Sequence, residues 1–102
     1  MAWHRALALS ELPPGTSGKA LEISGQHIAF FNDHGKVHAI SNHCLHRGGP
    51  LADGYLEDGN VTCPWHAWQF SVKTGECHTM KGAKQKTFKT KLEKDHILVD
   101  IE

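Results

Sequence analysis

Cysteine, net charge and long apolar runs are all scarce in this chain of 102 residues. The chain has only three cysteines, an odd number, so we do not expect a disulfide framework to hold the fold together. No stretch approaches the roughly 20 apolar residues of a membrane-spanning helix. The N-terminus is interrupted by His4 and Arg5 and lacks the apolar core of a signal peptide. We therefore expect a cytoplasmic protein with no membrane partner.

Charge of either sign is not in excess. Eleven Lys and Arg residues balance eleven Asp and Glu residues, so bulk charge gives no reason to expect a nucleic acid or a membrane surface as partner. The length predicts one domain, residues 1–102, with a single modest core and no room for a nicotinamide-binding or flavin-binding fold. Recognition of any protein partner must then depend on local surface patches.

Histidine, by contrast, is abundant, with nine residues, and two of the nine follow a cysteine at a spacing suited to shared metal ligation. Cys44-Leu45-His46 and Cys63-Pro64-Trp65-His66 are separated by 16 residues. Two thiolates and two imidazoles can hold one tetrahedral zinc ion, or the two irons of a 2Fe-2S cluster with both histidines on one iron. Zinc modules usually pair like ligands locally, whereas each loop here supplies one Cys and one His. The spacing favours the two-iron cluster and leaves a structural zinc site as an alternative.

The sequence around these ligands resembles the Rieske iron-sulfur family. The first box, residues 44–51, reads CLHRGGPL, and the second box, residues 63–70, reads CPWHAWQF. Both are similar to the boxes of Rieske ferredoxins, and the flanking pattern fits from about residue 3 to residue 101. The resemblance implies one Rieske-type 2Fe-2S cluster, with Cys44 and Cys63 on the inner iron and His46 and His66 on the outer iron.

The rest of the chain reads as short strands separated by turns. Alternation of apolar and polar residues is clear from Trp68 to Val72, from Phe88 to Glu93 and from Ile97 to Ile101. Asn32-Asp33-His34-Gly35 and Asp58-Gly59 are predicted hairpin turns. We expect an all-β fold, a small antiparallel sandwich or barrel of about ten strands, in which residues 41–70 form a cluster-binding subdomain.

The same resemblance implies a function. The chain is similar to the ferredoxin component of bacterial aromatic-ring-hydroxylating dioxygenase systems in its size, in its box sequence and in lacking an anchoring helix. Such a protein is not an enzyme by itself; it carries one electron at a time from a flavoprotein reductase that uses NAD(P)H to a terminal oxygenase, and both contacts are transient. The alternative is the small Rieske-like subunit of an assimilatory NAD(P)H nitrite reductase. A zinc module for protein interaction is the third possibility.

High-potential Rieske proteins carry a disulfide between the boxes and Ser and Tyr hydrogen-bond donors to the cluster. The four corresponding positions here hold Gly49, Trp65, Trp68 and Phe70, which supply neither. The resemblance therefore implies a potential in the lower part of the Rieske window of roughly −150 to +300 mV. A further departure is Ala67, which stands where Gly is usual.

Several other features carry weaker expectations. The segment 77–85 contains no proline, unlike the loop that covers the cluster in many relatives, so we expect it to be looser. We expect Trp65 to shield the site, Trp68 to pack in the core, and Cys77 to be a small buried residue rather than a ligand. His43 is a candidate for contact with a partner. An acidic stretch (Asp53, Glu57 and Asp58) is a candidate docking surface, and the lysine-rich run 81–94 is a solvated face.

Overall fold

A computed structural model of the chain describes residues 2–15, 18–44, 48–65 and 67–101. Within these ranges it has two single-turn 3-10 helices, Leu9–Glu11 and Leu51–Asp53, and ten strands. The strands are β1 (Trp3–Ala8), β2 (Lys19–Ile23), β3 (Gln26–Asp33), β4 (Lys36–Ser41), β5 (Tyr55–Glu57), β6 (Asn60–Thr62), β7 (Gln69–Ser71), β8 (Thr87–Phe88), β9 (Thr90–Glu93) and β10 (His96–Asp100). In the described part of the chain no helix is long and apolar enough to cross a membrane.

The strands form three antiparallel sheets. One has the order β1-β10-β9, the second β2-β3-β4-β8, and the third β5-β6-β7. The predicted all-β class and the number of strands are confirmed. The first sheet joins the two ends of the chain, whereas in the third β5 and β6 lie between the two ligand boxes and β7 begins at the end of the second box.

Two hydrophobic cores lie on opposite faces of β3, because successive side chains of a strand point to opposite sides. Ile28 and Phe30 face a core that also contains Ile97 and Val99. Ala29 and Phe31 face a second, ligand-side core, whose members are Ala29, Phe31, Ile40, Cys44, Leu51, Ala52, Leu56, Val61, Cys63, Phe70, Val72 and Cys77. The middle sheet is thus covered on both faces, and its buried strands carry the ligand-side core.

Two-residue turns close the hairpins on which the ligand loops depend. His34 and Gly35 join β3 to β4 with φ of +54° and +98°, and Asp58 and Gly59 join β5 to β6 with φ of +54° and +78°. Positive φ at both central residues is the requirement of the turn that matches the twist of antiparallel strands. Both predicted turns are confirmed, and the second one leads into the strand that ends just before Cys63.

The alternation from Phe88 to Glu93 predicts one continuous strand, and this is wrong. The segment divides at Lys89: β8 pairs with β4, whereas β9 pairs with β10 in another sheet. Leu92, in the apolar phase of the pattern, keeps 49% of its surface exposed. The reason is that β9 is the edge of its sheet, where alternation alone does not ensure that a side chain is covered.

Candidate metal centre

Two strands deliver the two cysteines. Cys63 follows β6 directly, and Cys44 lies three residues after the end of β4. Each is only 3% exposed and belongs to the ligand-side core. The two predicted histidine ligands, His46 and His66, lie outside the described residues. The structure therefore bears on the thiol half of the predicted ligand set.

The first box closes as a tight loop around its cysteine. The Cys44 N–H donates to the Gly49 carbonyl oxygen at 2.9 Å, and the Gly48 N–H donates to the Cys44 carbonyl oxygen at 2.7 Å. Gly48 has φ of +74°, a conformation in which any residue with a Cβ atom is strained. This conformation is a backbone reason for glycine at position 48.

The second box repeats this loop with different residues. The Cys63 N–H donates to the Trp68 carbonyl oxygen at 2.7 Å, and the Ala67 N–H donates to the Cys63 carbonyl oxygen at 3.1 Å. Ala67 has φ of +58°. The position where glycine is usual in the family that the sequence resembles is thus left-handed in this chain, and alanine occupies it at a cost in backbone energy.

The fold brings the two thiols together. Burial raises the pKa of the Cys63 thiol, and a hydrogen bond with the neighbouring Cys44 thiol, together with its charge, raises that pKa further. A hydrogen bond from the Trp65 backbone N–H acts in the opposite direction and lowers the pKa. Sequence alone places these cysteines in two separate loops, and the structure makes them one site.

Close backbone approach explains the second glycine of the first box. A Cβ atom on Gly49 would lie 2.9 Å from the Cys63 Sγ atom and 3.0 Å from the Trp65 Cγ atom. The Trp65 side chain therefore packs over the first box while 51% of its surface remains exposed. The indole thus lies against Gly49 of the first box, and the shielding role of Trp65 stays a prediction.

The other predicted neighbours lie deeper. Phe70 is fully buried, and Trp68 is half-buried against the same ligand-side core, as expected. Cys77 is buried in that core, and its Sγ atom accepts a hydrogen bond from the Met80 N–H at 3.3 Å. Its predicted packing role is confirmed.

Segment 77–85 makes several hydrogen bonds, and its expected looseness stays a prediction. The His78 N–H donates to the Gln69 carbonyl oxygen at 2.8 Å, and the Gln69 N–H donates to the Thr79 Oγ1 atom at 3.0 Å. The Cys77 N–H also donates to the Ala83 carbonyl oxygen at 3.0 Å. The first two hydrogen bonds join the segment to β7, and the third closes a turn within it.

Two candidate contact regions are accessible. The His43 side chain is exposed and packs edge-on against His27, with ring centroids 4.8 Å apart. Asp53, Glu57 and Asp58 are all exposed. Whether either region meets a partner stays a prediction.

One important residue has no signal in the sequence. Gln85 lies between two lysines in the lysine-rich run, and the pattern suggests a solvated side chain; in the structure it is 1% exposed and bonded to the segment before Cys44. Nothing in composition or periodicity separates it from its exposed neighbours.

The donor set suits a soft-ligand metal centre. Burial makes the Cys63 thiol costly to ionise by itself, and a bound metal ion would supply the positive charge that stabilises a thiolate there. Across residues 2–15, 18–44, 48–65 and 67–101, no three His, Cys, Asp or Glu side chains form a group that could hold a metal ion. Within that part of the chain Cys44 and Cys63 are the paired donors.

Comparison with known proteins shows the family. A family model described as Rieske [2Fe-2S] domain matches residues 2–93, which include both boxes. The ferredoxin component of the naphthalene 1,2-dioxygenase system of Pseudomonas aeruginosa is 30% identical over 100 residues, covering 97% of this chain and 95% of that protein.

Solved structures agree in fold. The ferredoxin of carbazole 1,9a-dioxygenase from Nocardioides aromaticivorans has a TM-score of 0.89 and 25% identity, with all of both chains covered. A protein from Mycobacterium tuberculosis assigned as the small subunit of an NADH-dependent nitrite reductase has a TM-score of 0.88 and 24% identity, covering 96% of this chain and 93% of its own. The second likeness concerns the fold alone.

Proposed function

Because this chain belongs to the Rieske [2Fe-2S] family, we propose that it is the ferredoxin of a ring-hydroxylating oxygenase system. In this role it carries single electrons from an NAD(P)H-dependent flavoprotein reductase to a terminal oxygenase. The observation that carries the proposal is the pair of buried, adjacent thiols, Cys44 and Cys63, in a chain that aligns over nearly its whole length with such a ferredoxin component.

The family implies a Rieske-type 2Fe-2S cluster. We assign Cys44 and Cys63 to the inner iron, His46 and His66 to the outer iron, and residues 41–70 to the subdomain that holds them. When bound, the cluster would accept and release one electron, and no covalent bond would be made or broken in the transfer. The protein's part is to hold the two thiols in one buried site through the two matching loops.

The residues around the thiols support a potential low in the Rieske range. Hydrogen bonds to cluster sulfurs and thiolates favour the reduced, more negative state. Phe70 is fully buried and has no hydroxyl, and Gly49 has no side chain to donate. A low potential suits a carrier that receives electrons from a reduced flavin and delivers them to an oxygenase.

Transient docking is the second requirement of a carrier. In the exposed acidic stretch, Asp53 precedes β5, Glu57 ends β5 and Asp58 lies in the turn to β6. The stretch is therefore next to the strand that leads into Cys63. We propose this stretch as a contact for basic partner surfaces, since complementary charge raises the encounter rate without requiring tight binding. A cytoplasmic location fits three buried free cysteines and partners that use NAD(P)H.

The fold likeness to a nitrite reductase small subunit supports a second candidate. In that case the chain would be a stable subunit of a larger enzyme. Co-purification distinguishes the two proposals: a sirohaem protein bound in fixed proportion would indicate the nitrite reductase, whereas rapid reversible electron exchange with a reductase and an oxygenase would indicate the carrier.

The first experiment is EPR spectroscopy of anaerobically purified protein before and after dithionite, together with iron, sulfide and zinc analysis. We expect a silent oxidised state, a rhombic signal on reduction with a low average g value, and about two iron and two sulfide per chain. A colourless protein with one zinc ion and no redox transition would contradict the proposal and support an interaction module.

A further inference from the structure

Gln85 is one of two polar side chains recorded as buried among the described residues; the other is Asn32. The Gln85 side chain is 1% exposed, in a run of sequence that is otherwise rich in exposed lysine. A buried carboxamide is costly unless it is hydrogen-bonded, so its contacts indicate why it is there.

Both donated hydrogen bonds go to the segment that enters the first box. The Gln85 Nε2 atom donates to the Ser41 carbonyl oxygen at 3.0 Å and to the His43 carbonyl oxygen at 2.5 Å. His43 immediately precedes Cys44. One amide group thus binds the carbonyl oxygens of the residues before and after Asn42. Gln85 is 44 and 42 residues away from these two partners along the chain.

The backbone of Gln85 is itself fixed. Its N–H donates to the Gly75 carbonyl oxygen at 2.7 Å, and a Cβ atom on Gly75 would lie 2.1 Å from the Gln85 carbonyl oxygen. The adjacent Lys86 carbonyl oxygen accepts the Ser41 N–H at 2.8 Å. The amide therefore projects from a rigid support rather than from a free loop.

The opposite side of the same segment is fixed by Asn42. Its N–H donates to the His27 carbonyl oxygen at 2.9 Å, its carbonyl oxygen accepts the Leu51 N–H at 2.9 Å, and its Oδ1 atom accepts the Ala52 N–H at 2.8 Å. Gln85 and Asn42 together leave the chain little freedom just before Cys44. The position of the Cys44 thiol relative to Cys63 depends on this segment.

We propose that Gln85 is a positioning residue for the first ligand box. Its carboxamide fixes the Ser41–His43 backbone, and through it the Cys44 thiol, and so governs how firmly the chain retains its cluster and at what potential. The inference rests on the proposed ligand role of Cys44. The proposal gives segment 77–85, which contains no proline, a role in ordering the first ligand box.

The test compares Gln85→Met with Asn32→Leu, two substitutions of similar size that remove a buried amide. Asn32 is 4% exposed, donates from Nδ2 to the Leu12 carbonyl oxygen at 2.8 Å and accepts the Gly35 N–H at 2.8 Å. Those partners do not belong to either ligand box. We expect both variants to lose stability. An effect seen only in Gln85→Met is then not the result of a general loss of stability.

Three measurements on the purified full-length chain separate positioning from stability. We expect Gln85→Met to accelerate hydrogen exchange in residues 41–51 and to increase the rate of iron loss to a chelator about tenfold, the equivalent of about 1.4 kcal/mol. We also expect its reduction potential to differ from that of the wild type. Asn32→Leu should change iron loss by less than about twofold and leave the potential unchanged. Gln85→Asn, which keeps the amide but draws it back by one methylene, should give the same changes to a smaller degree and serves if Gln85→Met does not fold.

Equal effects of the Gln85 and Asn32 variants on all three measurements would overturn the inference. Unchanged exchange in residues 41–51 of Gln85→Met would do the same. A wild-type chain without iron and sulfide would refute the proposed function instead, and hydrogen exchange in that protein would still decide whether Gln85 orders the segment before Cys44.

Discussion

Gly48 and Ala67 occupy the same place in the two ligand loops, with φ of +74° and +58°. Each lies four residues after a cysteine and donates its N–H to the carbonyl oxygen of that cysteine, at 2.7 and 3.1 Å. The two loops therefore share this hydrogen bond and a positive φ at the same position. Only the first has the residue for which a left-handed conformation is free of strain.

Ala67→Gly should stabilise the protein. The left-handed conformation costs a residue with a Cβ atom about 1 kcal/mol, and glycine removes this cost. In a domain of this size that is a rise of about 4–8 °C in the thermal unfolding midpoint. The measurement is thermal denaturation at constant iron content.

The matched control for this prediction is Gly48→Ala. A Cβ atom on Gly48 would meet nothing within 4 Å, so only the backbone conformation is tested. Its midpoint should fall by a similar amount. A fall in the midpoint of Ala67→Gly would show that the alanine makes a contact that outweighs its strain.

Gly49→Ala should impair the metal centre more than Gly48→Ala does. The new methyl group would lie 2.9 Å from the Cys63 Sγ atom and 3.0 Å from the Trp65 Cγ atom. Either the thiol or the indole must move, so we expect at least a twofold loss of bound iron, whereas Gly48→Ala retains its iron. Iron and sulfide analysis of both variants, purified side by side, checks this. Equal iron content would contradict the steric argument.

Cys63→Ser and His66→Cys test the ligand assignment. We expect Cys63→Ser to lose the cluster, and His66→Cys to lose the Rieske spectrum, because an additional thiolate changes the charge and the electronic character of the iron. Visible absorption and EPR spectra check both. Cys77→Ser is the control, since Cys77 is equally buried but lies outside the proposed ligand set; it should keep the spectrum. An unchanged spectrum in Cys63→Ser would refute the assignment.

The acidic stretch should influence partner kinetics. Reversing the charge at Asp53 or at Glu57, each in a single variant, should slow electron transfer with a basic partner surface by about tenfold at low salt, with a smaller effect at high salt. Stopped-flow reduction at several ionic strengths measures this. Glu93→Lys, on the β9 edge, is the matched control for a change of net charge. Equal slowing by the control would indicate that only net charge matters.

His38 should make stability depend on pH. Burial lowers the pKa of this half-buried side chain below its usual value near 6.5; Lys73 and Lys36 lower it further, and Asp33 acts in the opposite direction. The unfolded chain therefore binds the proton more readily than the folded one, so stability falls as the pH decreases from about 6.5 to the folded-state pKa. Below the folded-state pKa both the folded and the unfolded chain bind the proton, so His38 causes no further change in stability.

Chemical denaturation between pH 5 and pH 8 checks this prediction. His38→Gln should flatten the part of the profile below about pH 6.5. A profile identical to that of the wild type would show that His38 does not contribute to it.

Strands and turns were predictable where their signals are local. The alternation from Ile97 to Ile101 and the Asp58-Gly59 turn depend only on near neighbours, and both are confirmed. The division of the lysine-rich run at Lys89 was not predictable, because it depends on which distant strand each half pairs with. The hydrogen bonds between segment 77–85 and Gln69 on β7 were not predictable for a similar reason, since they join residues that are apart in the chain.

By itself the sequence determined the kind of chemistry this protein performs. Two Cys-His boxes of the right order, period-two strands and short turns are properties of neighbouring residues, and they were sufficient for the family and the all-β class. Only the tertiary structure decided how the two boxes become one site. The contact of the Cys44 and Cys63 thiols, the close approach of Gly49 and the burial of Gln85 join residues that are far apart in the chain. Such contacts form only when whole sheets pack together, because the cost of ordering a distant segment is offset by the burial of many side chains at once.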